Sequence, residues 1–425
     1  MNTKKLFDAN RLRRGTYDDG HNYFIPHTRD EAPSIWTSSG THIQIAVLED
    51  AGWPVVKDFD QYVDLIRNYM KKYPQINGKP AIGFTSSTDQ WRFFTVHTGP
   101  ARLAGQPNDA IAMVDPATYE AKMYFTSPET LAYCQKLNAM WNEGLIDPEM
   151  FAQDYDTYLS KISEGRVLGF LEPRWQIEQA QDSLRAQGMH DRMHVVVPAT
   201  IGGVEDSFNI PSYMFIRDGL SISIKCKDPD EAFKFMDAMM GEEVLKLRYW
   251  GIEGEDYSVE NGKFVRTPEQ WARAADPDYR KQQGLDLGFA FGSPPQNYQI
   301  QGNFIDPRDT QEFKEGSYTA EELKVLEAYK IKNLTELVAP PKYNPWGEAW
   351  SLALPEDNVA IQDSVQLDDI EKRFVPQLIM SPPAQFDSLW AQYVAEIEQH
   401  KDIIAEKDKL ITEAVKRAVE KNKPQ

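Results

Sequence analysis

The sequence predicts an α/β fold, built in layers with mixed sheets, and three observations predict it. Short apolar runs with strand character, Ala81–Thr85, Val167–Leu171, Val195–Pro198 and Tyr213–Ile216, alternate with stretches of helical periodicity. Several of those helical stretches open on a residue suited to cap them. The chain has 425 residues, enough for two or three domains with cores of their own.

Taken in order, Asp19-Gly20-His21-Asn22-Tyr23-Phe24-Ile25-Pro26 reads as a turn entering a short strand. Asp58–Tyr73 reads as an amphipathic helix, with Phe59, Tyr62, Val63, Ile66, Tyr69, Met70 and Tyr73 on one stripe and Asp58 with Gln61 as a capping box. Pro74–Gly78 ends it, and Ala81–Thr85 follows as a strand. Ser127-Pro128 opens a second helix that carries Leu131, Cys134, Leu137 and Trp141 on one face and stops at Gly144. Met140–Phe151 (MWNEGLIDPEMF) turns into a further helix, which Ile162–Arg166 closes before the Val167–Leu171 strand.

Ser221–Cys226 alternates polar and apolar residues and predicts a strand. Asp228, Pro229 and Glu231 then supply an N-cap, a proline at the first helical position and an acid three residues after the cap. Phe233, Met236, Met239 and Met240 recur at helical spacing, and Gly241 and Gly251 mark the ends of two helices. Tyr249 and Trp250 close the second one facing a core. From Glu253 to Pro345 the pattern is irregular, apart from a helix expected over Ala320–Val338 with Thr319 and Glu322 as its capping pair. Phe386–Val419 predicts a long final helix or a broken pair. Phe386, Leu389, Trp390, Tyr393 and Ile397 face inward, and the last third, dense in Lys and Glu, is expected to be solvated.

The composition excludes some classes of function. Hydrophobic residues at 41% and charged residues at 26% describe an ordinary globular chain. No segment approaches the roughly 20 apolar residues that span a bilayer. A formal charge of −19 argues against a nucleic-acid surface, which needs clustered Lys and Arg. Cys134 and Cys226 are expected to be free thiols. Met1–Gly20 has basic residues but no apolar core, so it does not read as a signal peptide.

The stretch Ser221–Tyr257, SISIKCKDPDEAFKFMDAMMGEEVLKLRYWGIEGEDY, is the most specific in the chain. Together with the ordered MWNEGLIDPEMF turn and the Gly165-Arg166 turn upstream, it resembles the extracellular solute-binding proteins of bacterial ABC importers for oligosaccharides, family 1, in their large lipoprotein-like branch. That resemblance implies a two-lobe periplasmic-binding-protein-like fold of type II, with a hinge and ligand capture by closure. It implies residues 1–22 as an amino-terminal remnant and first crossing, 23–240 plus 378–425 as one lobe, and 241–377 as the later part of the other. About a hundred further residues, domain-scale, precede the position of Asp19 in the family, so the first lobe is expected to be incomplete here. The partners implied are an oligosaccharide and the permease subunits, with no nucleic acid, a monomeric state and a membrane contact only through a lipid anchor that the sequence as written lacks. The location implied is the extracellular face of the cell membrane or the periplasm if that segment exists, and the cytoplasm if it does not. No cofactor is implied. Some relatives bind Ca²⁺ after the helix that aligns with Asp58–Tyr73. Tyr73–Lys79 offers one Asn, one Gln and no acid, so no metal is expected there.

Sugar recognition needs flat rings under sugar faces and amide or charged groups that fix the hydroxyls. Asp89-Gln90-Trp91-Arg92 and Glu172-Pro173-Arg174-Trp175 each follow a predicted strand, and relatives place aromatic residues near both positions. Trp91, Arg92, Glu172, Arg174 and Trp175 are therefore candidate ligand contacts, against core packing for the tryptophans and an ion pair with Glu172 or Glu178 for Arg174. Tyr213, Phe291 and Trp346 are further candidates. His190 and His194 lack an HExxH frame or a third ligand. No G-x-S-x-G, P-loop or G-x-G-x-x-G motif occurs. A carboxylate-pair glycoside hydrolase and a glycan-binding protein outside transport stay open as alternatives to a binder that performs no catalysis.

Overall fold

The computed structural model describes residues 2–6, 15–17, 19–26, 36–110, 112–209, 219–284 and 298–423. The chain divides into two compact units, Met1–Pro33 with Pro211–Ser317 and Ser34–Ile210 with Tyr318–Gln425. These cuts do not coincide with the expected boundaries at 22, 240 and 377. The Pro229–Met239 and Glu242–Trp250 helices share one apolar cluster, which a boundary at 240 would divide.

In the larger unit, Ser39–Gln44 is the central strand of a three-stranded sheet and pairs antiparallel with both Gly169–Pro173 and His194–Val197. Thr41 faces Leu171 on one side and Val197 on the other. All six residues of the central strand are buried, as covering on both faces requires. Isolated parallel bridges join Ile82 to Val167, Thr85 to Phe170 and Phe84 to Ile146. The expected strand over Ala81–Thr85 is thus a run of single bridges, and the expected Val167–Leu171 strand is realised two residues further on.

The predicted caps form. Asp58 accepts from the Gln61 N–H at 2.9 Å and opens the Phe59–Lys72 helix, while the Gln61 side chain accepts from Lys57 N at 3.0 Å instead of closing a box on Asp58. Phe59, Tyr62, Val63, Ile66 and Tyr69 are buried from its stripe, and Tyr73 at the end is exposed. Ser127 caps Pro128–Asn142, whose Cys134 and Leu137 are wholly buried. Asn77 and Gly78, at φ 51° and 75°, form a two-residue hairpin turn between Gln75–Ile76 and Lys79–Pro80.

Two expectations for this unit are corrected. Thr319 and Glu322 do form a capping box, but the helix covers only Ala320–Tyr329, because Lys330 adopts a left-handed conformation (φ 55°) and stops it. The final segment is a broken pair, Pro383–Glu398 and Lys401–Asn422. Its last third is packed and not merely solvated: Ile411, Val415 and Val419 join Ala112, Val114, Ala121 and Trp346 in a cluster of their own.

In the smaller unit, Ile25–Pro26 pairs antiparallel with Gly219–Leu220. Leu6, Ile25, Met236, Met240, Leu245, Ile300 and Ile305 form its core. Asp237 holds the amino-terminal turn by accepting from Asn2 N at 3.0 Å and Thr3 N at 2.9 Å. Asp228 caps the Pro229–Met239 helix through Glu231 N at 3.0 Å. The expected strand over Ser221–Cys226 is corrected: regular pairing stops at Leu220, a turn follows at Ile224 and Lys225, and the Ile224 side chain is fully exposed. Gly241 is the N-cap of Glu242–Trp250, whereas Gly251 (φ 86°) ends that helix in a conformation suited to glycine. Trp250 is buried with Tyr257 and Phe264, and Tyr249 packs at their edge. Among the described residues, no helix is long and apolar enough to cross a membrane.

Candidate ligand-binding face

The parallel bridges of the larger unit decide what lies together. Residues 82–85 run in the same direction as residues 167–170, so the segments that follow each leave the sheet at one end. Open α/β sheets present their ligand-binding loops at the carboxyl ends of such strands. One segment enters the Gln90–Phe93 turn and then Phe94–His97; the other enters the Arg174–Ala186 helix.

Three rings meet there. Trp91 lies 5.9 Å from Trp175 between ring centres with 11° between planes, 5.9 Å from Phe94 with 5°, and Phe94 lies 6.2 Å from Trp175 with 16°. Trp91 is 55% exposed and Trp175 54%, so neither has been taken into the core. Two half-exposed indoles, nearly parallel to each other and to the partly buried Phe94 ring, leave a flat apolar surface to water.

A polar layer supports the rings. The Arg92 guanidinium lies 4.5 Å from the centre of Trp91 and 3.7 Å from that of Tyr155. Arg92 Nε donates to Gln176 Oε1 at 3.1 Å. Glu172 is buried; its Oε1 accepts from Ser87 N at 3.1 Å and the Ser86 hydroxyl at 3.4 Å, and its Oε2 accepts from Gln176 Nε2 at 3.1 Å. Burial pushes the Glu172 carboxyl up to about 7, against the donors that favour its ionised form.

The other candidates fall elsewhere. Arg174 stacks 4.2 Å from the Trp36 ring, while the Trp36 indole donates to Glu322 Oε1 at 3.1 Å. Trp346 is corrected: it is 3% exposed, and its indole nitrogen donates to Asp109 Oδ1 at 3.1 Å, which makes it a core residue. Tyr213 and Phe291 lie outside the described residues. His194 is buried, with Nδ1 2.9 Å from Gln181 Nε2 and Nε2 2.9 Å from Val167 O. His190 Nδ1 lies 3.2 Å from Glu321. Among the described residues no group of three His, Cys, Asp or Glu side chains is placed to hold a metal ion. Cys134 is buried and Cys226 half-buried, both free. Sequence reasoning missed Phe94, Tyr155 and Gln176. Phe94 carried a readable signal, being three residues after Trp91 and so its neighbour on one helical face.

The family model for bacterial extracellular solute-binding proteins matches residues 13–246, more than half of the chain. The chain belongs to this family. Its fold is shared by solved structures of other such proteins. One is the alginate-binding protein AlgQ2 without calcium ion (TM-score 0.62, 15% identity, 96% of this chain and 77% of that one). A second is an HMO-binding, ABC-transporter-associated solute-binding protein from Bifidobacterium longum infantis (0.66, 15%, 97% and 81%). A third is the S. pneumoniae ABC-transporter substrate-binding protein FusA, an EF-hand mutant, in complex with fructo-nystose (0.63, 16%, 97% and 80%). At these identities the likeness shows the periplasmic-binding-protein-like α/β fold. No curated protein sequence matches the chain. In this solute-binding protein, the aromatic face is therefore an exposed feature of a chain built to hold a solute.

Proposed function

We propose that this solute-binding protein captures an oligosaccharide on the Trp91–Phe94–Trp175 face and delivers it to an ABC permease, without cleaving it. The observation that carries the reading is a set of three nearly parallel rings, two of them half-exposed, at the carboxyl ends of the sheet runs. A pyranose ring has an apolar C–H face that packs flat on an indole, while its hydroxyls need amide and charged partners at the rim. Arg92 lies beside the Trp91 ring and supplies a charged donor there, while the buried Gln176 holds Arg92 in place through its amide oxygen. The sugar-directed neighbours support the ligand class, and family membership supports delivery from the extracellular face of the cell membrane. A monomer attached through a lipid anchor belongs to the same reading.

Titration calorimetry against alginate oligosaccharide, kestose and fructo-nystose tests it. Trp175→Ala is expected to weaken binding about tenfold or more, equivalent to roughly 1.4 kcal/mol. Its melting temperature should barely move, because the side chain is half-exposed. Unchanged affinity, or a collapsed melting temperature, would remove Trp175 from the site. Shortening of the sugar during the titration would replace the binder with a hydrolase.

A further inference from the structure

Glu172, Gln176 and Arg92 form one unbroken path beneath the rings. The carboxylate takes Ser87 N on Oε1 and Gln176 Nε2 on Oε2, each at 3.1 Å. The same Gln176 amide then turns its oxygen to Arg92 Nε, also at 3.1 Å, and Arg92 in turn covers Trp91 and Tyr155. Tyr155 closes the path by donating its hydroxyl to Gln176 O. Every link depends on polarity. An ionised carboxylate only accepts, so Gln176 must show it the NH₂ group, and that choice leaves the amide oxygen for Arg92.

We propose that Glu172 is a positioning residue whose proton, through the Gln176 amide, sets how Arg92 holds Trp91 against Trp175 and so tunes the grip of the face on its sugar. Ser87 N–H is fixed by the backbone and cannot become an acceptor, and the Ser86 hydroxyl at 3.4 Å is the more distant neighbour of Oε1, so the proton is placed on Oε2, towards the Gln176 amide at 3.1 Å. Gln176 must then invert to accept from it. The inverted amide points NH₂ at Arg92 Nε–H, two donors face one another, and Arg92 loses its anchor.

Other titratable groups face Glu172 from the elements packed around it. His42 on the central strand lies 3.0 Å from the Glu172 carbonyl through Nε2, and burial holds it well below its usual value, so it stays neutral. Tyr133, Tyr155 and Tyr158 face the carboxyl from two helices, and burial pushes all three up. Arg102 faces it from Gly99–Leu103 and stays cationic, although burial lowers it to about 10. Burial brings Glu172 itself to about 7, within the ordinary pH range.

The proposal rests on the sugar reading only where it concerns affinity, and the test separates the two. Near-ultraviolet circular dichroism of the free protein, with the Trp175→Phe spectrum subtracted, isolates the contribution of the stacked rings. Between about pH 5.5 and about pH 8.5 the wild type should show one transition, and Glu172→Gln should not. Gln176→Met keeps the carboxyl and breaks the path, so it too should lose the transition, and it answers the question if Glu172→Gln fails to fold. A transition that persists in both variants overturns the proposal. Kestose or alginate oligosaccharide should bind the wild type about fivefold more weakly at the acid end, the scale of one hydrogen bond, and both variants equally at the two ends. A ring transition without sugar binding at either end leaves the positioning role standing and ends the sugar reading. Trp175-dependent binding that is equal at both ends in the wild type does the reverse.

Discussion

A Cβ added at Gly169 would lie 1.9 Å from the Tyr62 hydroxyl and 2.9 Å from Ile66 Cδ1. Tyr62 cannot easily yield, since its hydroxyl donates to His42 O at 2.9 Å in the neighbouring strand. Gly169→Ala is therefore expected to cost about 1–3 kcal/mol through overpacking, read as a lower urea midpoint with unchanged slope. A midpoint equal to wild type would show that the helix shifts at no cost. At this scale residue type was legible and environment was not. Trp91 and Trp346 both sit in loops marked by polar and turn-forming residues. The first is half-exposed, and the second is buried because Asp109, distant in sequence, accepts its indole N–H.

Elements carry their own signals, and the helix starts were the most readable of them. Asp58, Ser127, Asp228 and Thr319 all cap the helices that the sequence assigned to them. Each bond joins residues three apart, so the sequence holds both partners. Thr319→Ala should cost about 1 kcal/mol and Thr319→Ser a few tenths, a contrast that thermal melts resolve. Equal losses would mean that the methyl group and not the hydroxyl matters there. Strands were less readable. Ser221–Cys226 alternates as a strand should, yet alternation says nothing about whether a neighbour is present to accept its N–H groups, and regular pairing ends at Leu220. The Lys- and Glu-rich end of the last helix misled for a similar reason. Ile411, Val415 and Val419 form a narrow stripe that matters only because the Ala112–Val114 and Ala121–Met123 hairpin lies against it.

Over the whole molecule, buried titratable groups set how stability follows pH. Burial opposes charge on His97, yet the Glu371 and Asp368 carboxylates outweigh it and raise His97 from 6.5 to about 9. Its contribution is complete below 6.5 and is lost as pH rises through 9, a change of about 3 kcal/mol. Burial raises Glu172 from 4.5 to about 7 and Asp109 from 3.8 to about 6, so both penalise the fold as pH climbs through those windows. Burial lowers His194 from 6.5 to about 4 and lowers His42 well below 6.5, so stability also falls as pH drops through that range. Opposed slopes of this kind give a melting temperature that peaks on the mildly acid side of neutrality and declines toward pH 9, most steeply where His97 discharges. Glu371→Gln should flatten the alkaline limb. A limb of the same steepness in that variant would assign the decline to other groups.

The α/β class, the helix starts, the two tryptophans worth testing and, through one long ordered string, the family can all be read along the chain. All of these are local in the chain: a cap needs its third neighbour, a stripe needs its own periodicity. That Trp91, Phe94 and Trp175 form one face, that Trp346 belongs to a core, and that Glu172 reaches Arg92 through Gln176 emerges only in the folded chain. Those facts depend on which strands run parallel and which side chains meet across 80 residues or more. No spacing within a segment encodes such meetings, because they are settled by packing.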